Sequence, residues 1–188
     1  MGERPGAGQG RGPALVDRAG GRVGWGSSLP PTPAEPTMNP DRRPLNYASF
    51  DEILPDVHRL IGGHRTVGKW TLGQICDHVA TVTRFYVDAP ADPAPDLSLR
   101  VPDEQKRQTF ATGQVVEGRP LPAEVPPPAE VDAAEGADRL QAALDHYRAV
   151  PTGPVAEHRR FGRLTKEEWD RLVCIHAAHH LSFAIPTA

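Results

Sequence analysis

His176 and His180 stand four residues apart near the C-terminal end of a 188-residue chain. On an α-helix, where each residue turns about 100°, such a pair lies within about 40° on one face and one turn apart. Both fall on the apolar stripe of Trp169, Leu172 and Val173, the stripe a helix turns toward its neighbours. An H-x-x-x-H pair placed so can chelate one metal ion from a single helix, as in zincin sequences. His78 follows Ile75 by three positions and precedes Val82 by four, so it sits on the inward stripe of a different segment. Three neutral imidazoles from two helices are the donor set of an open site: three protein ligands and one position for water or substrate. Imidazole softness admits Zn, Ni, Cu or Fe and disfavours Mg or Ca. The expected cofactor is one divalent metal ion, with Zn, Ni or Fe the leading identities.

The competing reading is three hydrogen-bonded core histidines. Burying three imidazoles without partners costs a few kcal/mol, which weighs against it. Cys76 and Cys174 each precede a candidate ligand by two residues. On a helix that spacing turns side chains about 200° apart, so both thiols read as small packed hydrophobes, not ligands. His58, His64 and His146 fall on polar faces or in loops and read as solvated surface. His179 lies beside the ligand pair, and His158 opens the loop Arg159-Arg160-Phe161-Gly162-Arg163. These two are the candidates for proton transfer, and the arginine-rich loop is a candidate anion-attracting rim.

The elements that must carry these residues are helical. Ser49 with Glu52 reads as a capping box opening a first helix to Leu60, with Pro55 inside it and Gly62-Gly63 ending it. Thr71 with Gln74 opens a second, stapled by Trp70 on Ile75 and running through Val79, Val82 and Tyr86 to Pro90. Residues 91–131 are Pro-rich and read as a long crossover with at most a short helix from Asp103 to Thr112. Asp132, with Glu135 three on, caps a third main helix that ends at Val150. Thr165 with Glu168 caps the last, which carries the histidine pair and reaches Pro186. No strand pattern competes. Four amphipathic helices and one long crossover predict an all-α four-helix bundle over residues 45–188.

Residues 1–44 are rich in Gly, Pro and Arg without any period, and read as a disordered extension. The patterned sequence begins just after Met38, the only internal methionine and the expected true start. Net charge is -3, so the chain lacks the basic excess that nucleic-acid binding needs. Two cysteines cannot frame a secreted disulfide fold, and no stretch approaches the roughly 18 apolar residues of a membrane helix. The expectation is a cytoplasmic protein whose partner is a small molecule, with homodimerisation left open.

Taken together, Gly68-Lys69-Trp70-Thr71-Leu72-Gly73-Gln74-Ile75 leading to His78, Phe161-Gly162-x-Leu164-Thr165-x-Glu167-Glu168-Trp169, and His176-x-x-His179-His180-Leu181 resemble the DinB superfamily. The resemblance runs from about Arg43 to Ile185 and points to an uncharacterised DinB-like subfamily. It implies a four-helix bundle holding a divalent metal through one histidine of the second helix and an H-x-x-x-H pair of the last. Those positions are His78, His176 and His180 here. It also implies a metal-dependent hydrolase or a transferase or isomerase that uses a low-molecular-weight thiol such as bacillithiol, mycothiol or glutathione. On this reading the metal activates a water or a thiol as nucleophile; the alternative is a non-catalytic bundle that binds a metal or small ligand. This chain departs from such relatives at Arg159, where proline usually follows the histidine, and at Ser182-Phe183, where a glutamine often follows the last motif.

Overall fold

A computed structural model describes residues 41–92, 96–115 and 125–187. Met38 and residues 1–40 of the expected extension lie outside the described residues. The described chain is mostly helical: α1 Ile53–Ile61, α2 Leu72–Asp88, α3 Asp103–Thr112, α4 Ala133–Arg148 and α5 Lys166–Leu181. Among the described residues there are two short strands, β1 His64–Thr66 and β2 Ala184–Pro186.

Local sequence explains most of the boundaries. Thr71 accepts a hydrogen bond from the Gln74 amide while the Gln74 side chain accepts from the Thr71 amide, closing the capping box of α2. Thr165 and Glu168 do the same for α5. Asp132 caps α4 through the Glu135 amide at 2.8 Å. Each such cap satisfies a helix-end amide that would otherwise need water.

The start of the first helix differs from its expected form. The Ser49 side chain makes no cap; residues Phe50–Glu52 form a single 3-10 turn that runs into α1. Glu52 instead accepts from the Ala48 amide, at 3.3 Å. Pro55 then falls in the first turn of α1, where no amide is needed for the helix ladder, so it causes no break. The far end of the chain differs too. Helix α5 stops at Leu181, and Phe183 lies beyond it. Residues Ala184–Pro186 pair antiparallel with His64–Thr66, Arg65 opposite Ile185. Strands of three residues are too short to show an alternating pattern, which is why the sequence carried no sign of them.

Helix directions follow from contacts at their ends. Gly73 and Gly136 meet near the starts of α2 and α4, and His146 bonds Asp88 near their ends, so these two helices run parallel. Parallel neighbours need the long crossover that residues 89–132 provide. A β-carbon on Gly73 would lie 2.1 Å from the Val131 carbonyl oxygen, so this crossing admits only glycine. Helix α5 returns antiparallel to α2, with Trp169 near Tyr86 at one level and His176 and His180 near His78 at another. Val57, Leu60, Ile75, Val79, Leu140, Leu144, Ala177 and Leu181 fill the space between α1, α2, α4 and α5 and are essentially inaccessible. The crossover is tied down by Asp77, which accepts from the Ala129 amide at 2.7 Å and from Arg139 at 2.6 Å. Among the described residues no helix is long and apolar enough to cross a membrane.

Candidate metal centre

Helix α2 contributes His78, 1% exposed, and α5 contributes the half-buried His176 and His180. Because α2 and α5 are antiparallel neighbours, one turn of each faces the same point. The ring centroids lie 5.2 Å apart for His78 and His176, 4.4 Å for His78 and His180, and 4.6 Å for His176 and His180. One nitrogen from each ring lies within 4.8 Å of the other two, so the cluster could hold a metal ion. A tetrahedral ion with bonds of about 2.1 Å spaces its nitrogen ligands about 3.4 Å apart, within reach of a modest side-chain rotation. No other His, Cys, Asp or Glu among the described residues joins the group, so the protein would supply three ligands and leave a position open.

The donor chemistry fits a cation. Nδ1 of His78 is buried without a hydrogen-bond partner among the described residues, an arrangement that costs about 1–3 kcal/mol unless something satisfies the ring. Burial pushes His78 down to about 4, against a smaller opposing pull from Asp77. His176 and His180 are held well below the ordinary histidine value by burial and by their neighbouring imidazoles. All three are therefore neutral at pH 7, the state that ligates metal.

Trp70, expected only as a helix staple, sits at this cluster. Its ring lies 4.9 Å from His78 and stacks on His180 at 5.5 Å with an interplanar angle of 23°. The sequence signal was there, a tryptophan directly before the cap of the ligand helix, but a staple explained it.

The other candidates are not among the three rings whose nitrogens converge. His179 meets His180 at 4.8 Å between centroids but turns Nδ1 toward an Arg42 guanidinium nitrogen, 3.4 Å away. Burial, with Arg42 and His78, lowers His179 to about 4. Arg42 also donates to Ser182 Oγ at 2.8 Å from Nε, so Ser182 is engaged on that side. His158 belongs to a tight turn before α5: His158 and Gly162 exchange amide hydrogen bonds of 2.9 and 2.8 Å. Gly162 has φ +76°, and a β-carbon there would lie 1.7 Å from an Arg100 guanidinium nitrogen. His158 packs between Phe161 and Tyr86, 4.8 and 4.9 Å between centroids, with Trp169 edge-on at 5.7 Å. Cys76 and Cys174 are buried free thiols, pushed up to about 12 and about 11 chiefly by burial, as their packed reading requires. His58 is exposed, His64 Nδ1 donates to the Leu60 carbonyl, and His146 pairs with Asp88.

The model of a family described as a protein of unknown function, DUF1569, matches residues 39–187, and the chain belongs to that family. No curated protein and no solved structure matches the chain.

Proposed function

We propose that this member of the DUF1569 family is a divalent-metal-dependent enzyme of the DinB type, a hydrolase or a low-molecular-weight-thiol transferase. On this reading α1, α2, α4 and α5 are the four helices of a DinB bundle, and His78, His176 and His180 hold the ion. The observation that carries it is the approach of three imidazole nitrogens from two helices to within 4.8 Å of one another, with no fourth protein donor in the group among the described residues. When bound, the metal supplies Lewis acidity that makes water or a thiol nucleophilic near neutral pH. The chain's own part is to present three neutral rings, to keep one side of the cluster dry with Trp70, and to leave one side open to a small-molecule substrate.

Elemental analysis of protein purified without chelator tests the centre. One equivalent of a divalent ion is expected, lost in His176→Ala and retained in Cys174→Ala. Absence of stoichiometric metal, with His176→Ala indistinguishable from the parent, ends the reading. Incubating the loaded protein with bacillithiol, mycothiol or glutathione and an electrophile, or with simple esters, then looks for turnover. A second reading, a non-catalytic metal- or ligand-binding bundle, is favoured by one observation: the accessible proton acceptors near the cluster are already engaged. Nδ1 of His158 takes two backbone amides and Nδ1 of His179 faces Arg42. Stoichiometric metal without turnover of any of these substrates supports that reading.

A further inference from the structure

The turn that carries His158 decides which of its nitrogens bears the proton. The backbone amides of Arg160 and Phe161 both point at Nδ1, 3.2 Å away in each case. Amides only donate, so Nδ1 accepts, and the neutral ring must carry its hydrogen on Nε2. Among the described residues no hydrogen bond reaches Nε2, and it is not among the fully buried unsatisfied atoms, so this donor is left unpaired with part of its surface exposed.

Its surroundings suit an acceptor with negative charge. Arg160, Arg100 and Lys106 are the charges that act on the ring, and all are positive. Arg100 packs on Gly162 while its far end pairs with Glu157 at 2.9 Å, and Lys106 pairs with Glu168 at 2.8 Å. Trp169, whose centroid is 5.7 Å from His158, adds an indole N–H that is buried without a partner among the described residues. An N–H donor of fixed tautomer, half-buried among aromatic rings and cationic side chains, is a place to seat a carboxylate. Trp169 precedes His176 by seven residues, about 10 Å along α5, and His158 is one of the groups whose charge acts on His176, so the His158 donor and the three-histidine cluster lie along the same stretch of α5.

We propose that His158 is an anion anchor: its Nε2–H, backed by Arg100 and Arg160, holds a carboxylate of the small molecule whose other end meets the three-histidine centre. The substrate class is then a carboxylate whose reacting atom lies within about 10 Å of that group. The inference rests on the metal reading for the far end of the substrate and on the turn alone for the near end. His158 here is a specificity-determining donor and not a base, since its one acceptor nitrogen is occupied.

The test uses ω-mercaptocarboxylates of increasing chain length, each compared with the mercapto-alcohol of equal length, titrated into Zn-loaded protein by calorimetry. A carboxylate preference of about tenfold is expected at one optimal length, the worth of one charge-assisted hydrogen bond. In His158→Asn that preference disappears while mercapto-alcohol binding is unchanged, because Asn Oδ1 replaces the Nδ1 acceptor of the turn and deletes only the outer donor. Mercapto-alcohol binding with no carboxylate preference at any length overturns the anchor and leaves the metal centre standing. Metal-free protein supplies a second arm: butyrate should shift the His158 Nε2 nitrogen resonance. A resonance unmoved by millimolar butyrate overturns the anchor whatever the metal does, and a shift with no metal bound supports it while the centre fails.

Discussion

At the scale of single residues, burial and charge set which rings titrate. His158 is held down to about 3, first by burial and then by Arg160, Arg100 and Lys106. Its folded value lies below the unfolded one, so the unfolded chain takes up the proton first. Its contribution to stability is complete above about pH 6.5 and is lost as pH falls toward about 3. Asp56 behaves differently. Burial raises it, but hydrogen bonds from Arg43 and Tyr47 outweigh burial and lower it below the ordinary carboxylate value of 3.8. Its contribution is present above that value and is lost only as pH falls through the lower folded one. Metal-free protein should therefore lose thermal stability in two stages on acidification, the histidine stage beginning near pH 6.5. His158→Asn, which does not titrate, should show a shallower first stage by calorimetry between pH 7.5 and 4.5. An unchanged slope would mean that the ring is not held neutral by the fold.

The elements owe their placement to a few sharp features. Two reciprocal capping boxes start the two ligand helices, so their first turns, and hence the phase of His78 and His176 around each axis, are set locally. Thr165→Ala should cost about 1 kcal/mol, read as a lowered Tm. Gly73→Ala should cost about 3 kcal/mol or more, because its methyl would meet the Val131 carbonyl 2.1 Å away and a neighbouring backbone cannot yield as a side chain does. If Gly73→Ala proves the milder of the two, α2 and α4 are not in close register at that crossing.

For the whole molecule, a metal that binds the folded cluster and not the unfolded chain links its binding to stability. Adding Zn to metal-free protein should raise Tm with concentration, by the equivalent of about 2.7 kcal/mol at a hundredfold excess over Kd. EDTA should reverse the rise, and His176→Ala should not show it. A Tm indifferent to Zn in the parent protein would mean that the three imidazoles do not close on one ion. The same scale explains why α2 and α5 share a site at all. The crossover makes α2 and α4 parallel, and the link after α4, residues 149–165, sends α5 back antiparallel to α2, which sets residue 78 level with 176 and 180.

Helical period and cap chemistry are local properties, and both were legible in the residues. Ile75, Val79 and Val82 around His78, and Trp169, Leu172 and Val173 before His176, put each histidine on an inward stripe. Thr71–Gln74 and Thr165–Glu168 marked where the ligand helices begin. The helical class and the three candidate ligands follow from those two signals. Features that depend on partners distant in the chain were not legible. Ser49 lost its expected cap because the backbone there forms a 3-10 turn. The last helix ends at Leu181 because the chain beyond it finds β1, 118 or more residues earlier, to pair with. Trp70 became a wall of the histidine cluster, and Arg100 came from the crossover to the His158 turn, neither with any periodic sign. A stripe tells a residue to face inward; only the packing of helices decides which other inward-facing residues it meets.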